Sequence, residues 1–449
     1  MTEPYELTLS QAAKLIHRRE LSPVELMESL LARNRALDHL LNVWVTLDEQ
    51  AMIASARESA EVLATAGPKG PLHGIPFGVK DIFYTKGVKT TACSKILVDF
   101  VPEYDSTAVA LLKEAGGIMM GKTVTTEFAM FDPPATKNPW NHTRTPGGSS
   151  SGSAVGTAAQ MFPAALGSQT AGSVLRPASY VGVCGMKPTL GLISRYGVVP
   201  VSHSLDTMGF FTRTVEDAAL MLSLLSKNDP QDSISIESEP IQYPKVLKAP
   251  LEGPRIAVMK QYFFNESTNE IRAHTDAVIT KLADAGAVVQ EVSIPSDMSA
   301  VRDAHVLVQG TEASTVHRDN YKIRPNDFAP GVRDVIETGL AVSTAEYVKA
   351  QELRRMFTRE ITAAIKPFDV ILTPSTPGPA PDISTTGPPT CQWPWTTCGF
   401  PSMTVPSGLS QDGMPLGIQL AAMSLNERKL LAVANWCEDV LGVRLTPSV

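Results

Sequence analysis

Residues 147–157 read GGSSSGSAVGT, and eight of these eleven are Gly or Ser. Such a run supplies little core volume. It lets the backbone approach a ligand closely and offers several N–H groups and hydroxyls. A flexible linker is the plain alternative. The run is short, however, lies mid-chain, and gives way to small apolar residues rather than to more Gly and Ser. A second small-residue run, GSQTAGS at 167–173, leads into Arg176-Pro177. Two such runs suggest two loops framing one pocket.

Three chemistries compete for these segments. GGIMMGKT at 116–123 matches the phosphate-loop pattern G-x-x-x-x-G-K-T. A phosphate loop follows a strand and opens a helix. Here the preceding STAVALLKEAG is helical, and Ile118, Met119 and Met120 have the character of a buried strand, so the match is read as accidental. Residues 148–152, GSSSG, satisfy the G-x-S-x-G nucleophile elbow, which needs a strand just before it and an acid and a histidine later. The polar NHTRTPG precedes it instead. His203, His274, His305 and His317 carry no local signature and are read mostly as surface or satisfied polar histidines.

The third chemistry is a serine activated without histidine. The chain has no S-x-x-K, but a lysine can arrive from elsewhere. Lys80 lies in GPLHGIPFGVKDIF at 70–83, among Ile75, Phe77, Val79, Ile82 and Phe83. At the end of an apolar strand it would be partly desolvated, and desolvation lowers an amine's pKa. A neutral amine is then available as a base. The alternative is a lysine that snorkels to solvent or pairs with its neighbour Asp81.

The elements that must position these residues alternate between helix and strand. Ser22-Pro23-Val24-Glu25 combines an N-cap, proline at the first helical position and a capping-box glutamate. Val24, Met27 and Leu31 then recur at helical spacing. A second helix is predicted over about 48–65, a strand over 75–79, a helix over 107–115 and a strand over 118–120. The stretch 228–254 is rich in Pro, Ser and Glu and reads as a surface connection. RIAVM at 255–259, a helix around 268–285 and VVQEV at 288–292 form a β-α-β passage. Residues 311–366 read as mostly helical, 370–372 as a strand and about 425–440 as a last helix. This alternation indicates an α/β fold with a parallel or mixed sheet.

Composition narrows the function classes. The chain has 449 residues, 43% hydrophobic and 19% charged, enough to build a sizeable core. Its net charge of −7 gives no basic footprint for nucleic acid. No apolar run approaches a membrane helix, and the start shows no basic segment followed by an apolar one. Five scattered cysteines without a CxxC read as reduced thiols. A cytoplasmic protein without nucleic-acid or membrane partners is expected.

Long blocks in order along the chain resemble the amidase signature family. They are GPLHGIPFGVKD (70–81), DSTAV…AGGIMMGKT…EFA (105–129), PGGSSSGSAVG (146–156) and GSQTAGSVLRPASYVGVCGMKPTLG (167–191). They continue through LDTMGFFTRTVEDAALML (205–222), FDVILTPSTP (368–377) and GFPSMTVPSGL…GMPLGIQL (399–420). The resemblance implies a Ser–cisSer–Lys triad, with the base at Lys80, the cis-peptide serine at Ser149 and the nucleophile at Ser173. It implies an oxyanion hole from the amides of Thr170, Ala171, Gly172 and Ser173, and neither metal nor organic cofactor. It also implies a single α/β/α sandwich spanning residues 1–449, with a large twisted mixed sheet of about eleven strands covered by helices on both faces. The catalytic segment would lie within about 70–225 and a peripheral helical part at about 300–366.

The resemblance has departures. Gln169 and Ala171 stand where many members carry an acidic residue and a glycine, Val124 and Thr396 where asparagines are common. Gln169 and Arg176 together are similar to a subset that includes malonamide-type amidases, where the arginine binds a substrate carboxylate; a structural pairing is the alternative. Gly148 and Gln169 are further candidate substrate contacts. Phe128, Met130, Phe131, Trp140 and His142 line an apolar pocket or pack into the core, and CQWPWTTCGF at 391–400 makes a second possible wall.

The expected function is hydrolysis of a C–N bond in a small amide, anilide or urethane through an acyl-enzyme on Ser173. The alternative is an amidotransferase subunit that hands ammonia to partner chains. A catalytically silent binding protein is a third reading, against which Lys80, Ser149 and Ser173 together argue. A homodimer is left open.

Overall fold

The computed structural model describes residues 3–248, 251 and 253–449. Eleven strands join one mixed sheet: β1 Trp44–Leu47, β2 Pro76–Lys80, β3 Ile118–Thr123, β4 Ala164–Gln169, β5 Cys184–Lys187, β6 Thr207–Thr212, β7 Arg255–Val258, β8 Val288–Glu291, β9 Val370–Pro374, β10 Ser402–Leu409 and β11 Pro415–Ala421. Their order is β1-β3-β2-β4-β6-β5-β10-β11-β9-β7-β8. β2 runs parallel to β3 and β4, β7 runs parallel to β8 and β9, and the remaining neighbours are antiparallel. The predicted α/β class and the count of about eleven strands are met. Among the described residues no helix is long and apolar enough to cross a membrane.

Local signals produced most elements where the sequence placed them. Pro23–Leu41 is a helix whose Ser22–Glu25 capping box is formed on both sides. The β-α-β passage is β7, the helix Asn269–Asp284 and β8. The stretch 228–254 is mostly irregular, with a short helix Lys245–Lys248; its residues 249, 250 and 252, and the first two residues of the chain, lie outside the described residues.

Two segments differ from expectation. The second half of the Gly/Ser run is not a loop but the buried helix Ser151–Ala158. It fits only small residues. A Cβ on Gly152 would stand 2.4 Å from Val43 O, and one on Gly156 would meet the Phe162 ring at 2.2 Å. Ser151 and Ser153 donate to Gly147 O and Leu166 O at 2.7 and 2.8 Å, which ties the helix to the preceding turn and to β4. The peripheral helical part begins earlier than predicted and breaks into Met298–Ile323, Pro330–Ala341 and Thr344–Ile365. Its first helix buries Met298, Val301, Ala304 and Val308 together with His305, Gln309, Glu312 and His317, so polar residues interrupt the apolar stripe.

The phosphate-loop match dissolves in β3, where Gly121, Lys122 and Thr123 are consecutive strand residues. Lys122 is fully buried. It pairs with buried Asp81 at 3.2 Å and donates to Phe83 O and Thr90 Oγ1 at 2.7 and 2.6 Å. Thr91 donates to Asp81 from its amide and hydroxyl. The pair therefore fixes the chain that leaves β2 directly after Lys80. Breaking a buried pair by removing one partner costs about 3–5 kcal/mol. Lys122→Ala is expected to lose that much in equilibrium denaturation, with part recovered in the double variant Lys122→Met/Asp81→Leu.

Candidate active site

Lys80 is the last residue of β2 and has no solvent exposure. Its neighbour Asp81 is committed to Lys122, so Lys80 neither snorkels nor pairs with it. Parallel register to β4, with Gly78 opposite Ala165 and Val79 opposite Leu166, brings the amine to the end of that strand. There Lys80 Nζ donates to Ser149 Oγ at 2.7 Å and to Ser168 Oγ at 2.9 Å. Burial pulls the ammonium down to about 7, against an upward pull from Asp206. A large part of this amine is therefore neutral near neutral pH.

Ser149 sits in the turn before the helix Ser151–Ala158, and the Gly148–Ser149 peptide is cis. Ser149 O accepts from Thr126 N at 3.1 Å. Gly148 lies close to the methyls of Thr386 and Thr126, where a Cβ would stand 2.8 and 3.2 Å away. Ser150 Oγ donates to Ser168 O and accepts from its amide, which binds this turn to β4. Gly147 packs on Pro177, leaving 2.7 Å between its Cβ position and Pro177 Cα. The two small-residue runs thus meet.

The second run is a turn between β4 and the helix Leu175–Val181. Gln169 shapes it. Its amide oxygen accepts from Val174 N and Leu175 N, each at 3.0 Å, and its nitrogen donates to Thr396 Oγ1 at 3.0 Å. Thr396 in turn donates to Ala171 O at 2.8 Å. The amides of Thr170, Ala171, Gly172 and Ser173 donate to no backbone or side-chain acceptor among the described residues. Free N–H groups in a tight turn beside a hydroxyl are the groups an anion site needs. Gly172 is tightly packed: a Cβ would stand 3.0 Å from Pro389 Cβ and 3.1 Å from Gln392 Oε1, so these neighbours would have to give way. Ser173 keeps 8% exposure, and Thr170 donates to Asp206 Oδ1 at 2.6 Å.

The other candidates divide. Arg176 is buried, donates to Gly387 O and to Gly148 O, and has its guanidinium pulled down to about 10 by burial. Its two terminal nitrogens thus hold backbone, the structural alternative. Gln169 spends its amide on the turn. Met130 is buried and its carbonyl accepts from Thr126 Oγ1, whereas Phe131 is 46% exposed. Phe128 packs in the core against His317, with ring centroids 4.3 Å apart, and Trp140 donates to Val181 O. Trp393 and Trp395 are core residues rather than a pocket wall. His305 and His317, expected mostly at the surface or satisfied, are buried, each with an unpartnered Nε2, and burial depresses them to about 3 and about 4. Sequence reasoning missed Ser168, Thr126 and Asp206. Ser168 is visible only once β2 and β4 are known to pair.

The Amidase family model matches residues 25–431. The chain belongs to the amidase family. The family resemblance read from the motifs is thereby met. Among curated relatives, a glutamyl-tRNA(Gln) amidotransferase subunit from Geobacter metallireducens is 36% identical over 476 residues, covering 97% of this chain and 98% of the relative. The corresponding protein from Roseiflexus sp. is 36% identical, covering 97% and 96%. Among solved structures, a chain of a vestigial protein complex related to the origins of an s-triazine catabolic enzyme superposes with a TM-score of 0.92 at 30% identity, covering 99% and 100%. The native peptide amidase of Stenotrophomonas maltophilia superposes with a TM-score of 0.87 at 27% identity, covering 99% of each chain.

The crowding at Gly172 gives a direct test of this amidase's turn. Gly172→Ala is expected to displace the free amides and lower kcat by ~10²-fold, the usual cost of one oxyanion donor. Circular dichroism should stay that of the parent.

Proposed function

We propose that this chain cleaves an amide-type C–N bond through an acyl-enzyme on Ser173. The observation that carries this is the dry amine of Lys80, 2.7 Å from Ser149 Oγ, beside a turn of free amides at Ser173. Serine is a weak nucleophile at its own pKa and needs a base. Ser173 Oγ attacks the carbonyl carbon while its proton passes to Ser149, whose own proton passes to neutral Lys80. The 2.7 Å contact serves both directions: an ammonium donates through it and an amine accepts through it. The negative charge on the carbonyl oxygen is met by the amides of Ala171, Gly172 and Ser173, with Thr170 at the turn's start. The proton returns by the same route to the departing nitrogen, the C–N bond breaks, and water then hydrolyses the ester.

Two settings share this chemistry. The curated relatives are 34–36% identical to this chain over nearly its whole length and are named as amidotransferase subunits. Kinship therefore supports a subunit working with partner chains better than a stand-alone hydrolase. The local side chains support the second setting, a hydrolase of small uncharged amides, anilides or urethanes. The Arg176 terminal nitrogens are committed to backbone, and the ground beside Ser149 is lined by the methyls of Thr126 and Thr386. Peptide amidases are among the structural neighbours at 27–28% identity. The purified chain assayed alone on a neutral anilide decides between them. Turnover without any partner supports the hydrolase; ammonia transfer that appears only with added partner chains supports the amidotransferase.

Ser173→Ala is expected to abolish the acyl adduct in intact-protein mass spectrometry while the protein stays folded. An adduct that persists removes Ser173 from its role. In the parent enzyme kcat/KM should rise as pH passes through about 7 and level off above it, because the base acts deprotonated. In Lys80→Ala most activity should be lost, and the residual rate should lack that limb.

A further inference from the structure

Asp206 lies in the loop that enters β6, whose residues Thr207 and Met208 stand opposite Gln169 and Ser168 of β4. Its side chain is buried, and both carboxylate oxygens are used. Oδ1 accepts from Thr170 Oγ1 at 2.6 Å. Oδ2 accepts from Val201 N and Ser202 N at 2.7 and 2.9 Å. Burial raises its pKa, while these donors and the charge of Arg195 pull it back. Thr170 is the residue through which β4 becomes the turn of free amides.

The loop that carries Asp206 is itself clamped from outside. Glu312, on the helix Met298–Ile323, accepts from Ser202 Oγ, from Ser204 N at 2.9 Å and from Ser204 Oγ at 2.8 Å. Tyr347, on the helix Thr344–Ile365, donates to the same carboxylate at 2.6 Å. Arg354 donates to Ser204 Oγ at 2.8 Å and to Ser204 O at 3.2 Å. Hydrogen bonds therefore run without a gap from the peripheral helices, through residues 202–206, to Thr170.

We propose that Asp206 is a positioning residue for the reaction: it anchors the start of the oxyanion turn through Thr170, and its negative charge tunes how readily Lys80 gives up its proton. The charged and titratable groups about Lys80 are few. Asp81 is its chain neighbour and is neutralised by Lys122; Cys93 lies on the loop after β2 with its thiol pushed up to about 12, hence uncharged; Asp206 holds Thr170, two residues beyond the Ser168 hydroxyl that Lys80 contacts. Ser149 and Ser168 contribute only hydroxyls. Asp206 is thus the one carboxylate in this surrounding that no cation pairs at contact distance among the described residues. It opposes the desolvation that favours a neutral amine.

The inference rests on the acyl-enzyme reading above, and its test separates the two. Asp206→Asn retains the size and one acceptor but removes the charge. The acid limb of kcat/KM against pH is expected to move toward lower pH by ~0.5 unit or more, because the ammonium loses a stabilising charge. Thr170→Val keeps the charge and removes the anchor. It should lower kcat roughly tenfold, less than the loss of a whole oxyanion donor, and leave the limb where it was. Thr170→Ser should restore the rate. A limb that stays put in Asp206→Asn, or a Thr170→Val enzyme with unchanged kcat, overturns the proposal. If Asp206→Asn fails to fold, the Thr170 pair still decides the anchoring. Loss of the Ser173 and Lys80 requirements would instead sink the acyl-enzyme reading itself.

Discussion

An amine removed from water without a carboxylate against it is the constraint on which the site depends. Lys80 ends β2 with no exposure, and the adjacent Asp81 is turned away to Lys122. Had Asp81 paired with Lys80, the ammonium would have been stabilised and the base lost. The second buried lysine thus does more than fill β3. By taking Asp81 it leaves Lys80 to two serine hydroxyls, which accept a hydrogen bond without fixing the charge. Desolvation then decides the pKa.

The same economy governs the turn of free amides. A turn of free amides is unstable unless its other polar groups are satisfied, because buried unpaired donors are costly. Gln169 takes the amides of Val174 and Leu175, Thr396 takes Ala171 O, and Asp206 takes the Thr170 hydroxyl. What is left unpaired among the described residues is the row of amides from Thr170 to Ser173. Gln169 and Thr396 are two of the chain's departures from the common family residues. They contact each other at 3.0 Å. The two departures form one unit, a neutral amide–hydroxyl pair that supports the turn.

How much of this was legible in the sequence follows from physics. The Gly/Ser runs stood out because residue types that build no core are rare in the middle of a packed chain, and the flanking apolar residues made Lys80 conspicuous. Capped, amphipathic helices such as Pro23–Leu41 were readable from local signals alone. The helix Ser151–Ala158 was not, because its small residues carry no periodicity; they are dictated by Val43, Val124 and Phe162 lying against it. Ser168 was invisible because its meeting with Lys80 is a matter of strand register, a non-local choice. Asp206 lay inside a family block without any local cue, since its partner is Thr170, 36 positions earlier in the chain.

The peripheral helices take on a different meaning in this light. A lid would touch the site through mobile, exposed contacts. Here the contacts are made by buried Glu127 and Glu312 and by half-buried Asp132. Glu312 grips residues 202–204, and Glu127 accepts from Ser94 Oγ and from Ala329 N at 2.5 and 2.6 Å. Asp132 accepts from Gly331 N and Val332 N, where the helix Pro330–Ala341 begins, placing negative charge at the helix's positive end. Several side chains would have to lose their partners together for this part to swing away. The helices at 298–365 are therefore tied to the rest of the chain at several points. Their hydrogen bonds reach Thr170 through the loop 202–206, which explains why a segment so far along the chain from Ser173 carries so many buried polar side chains on its inner face.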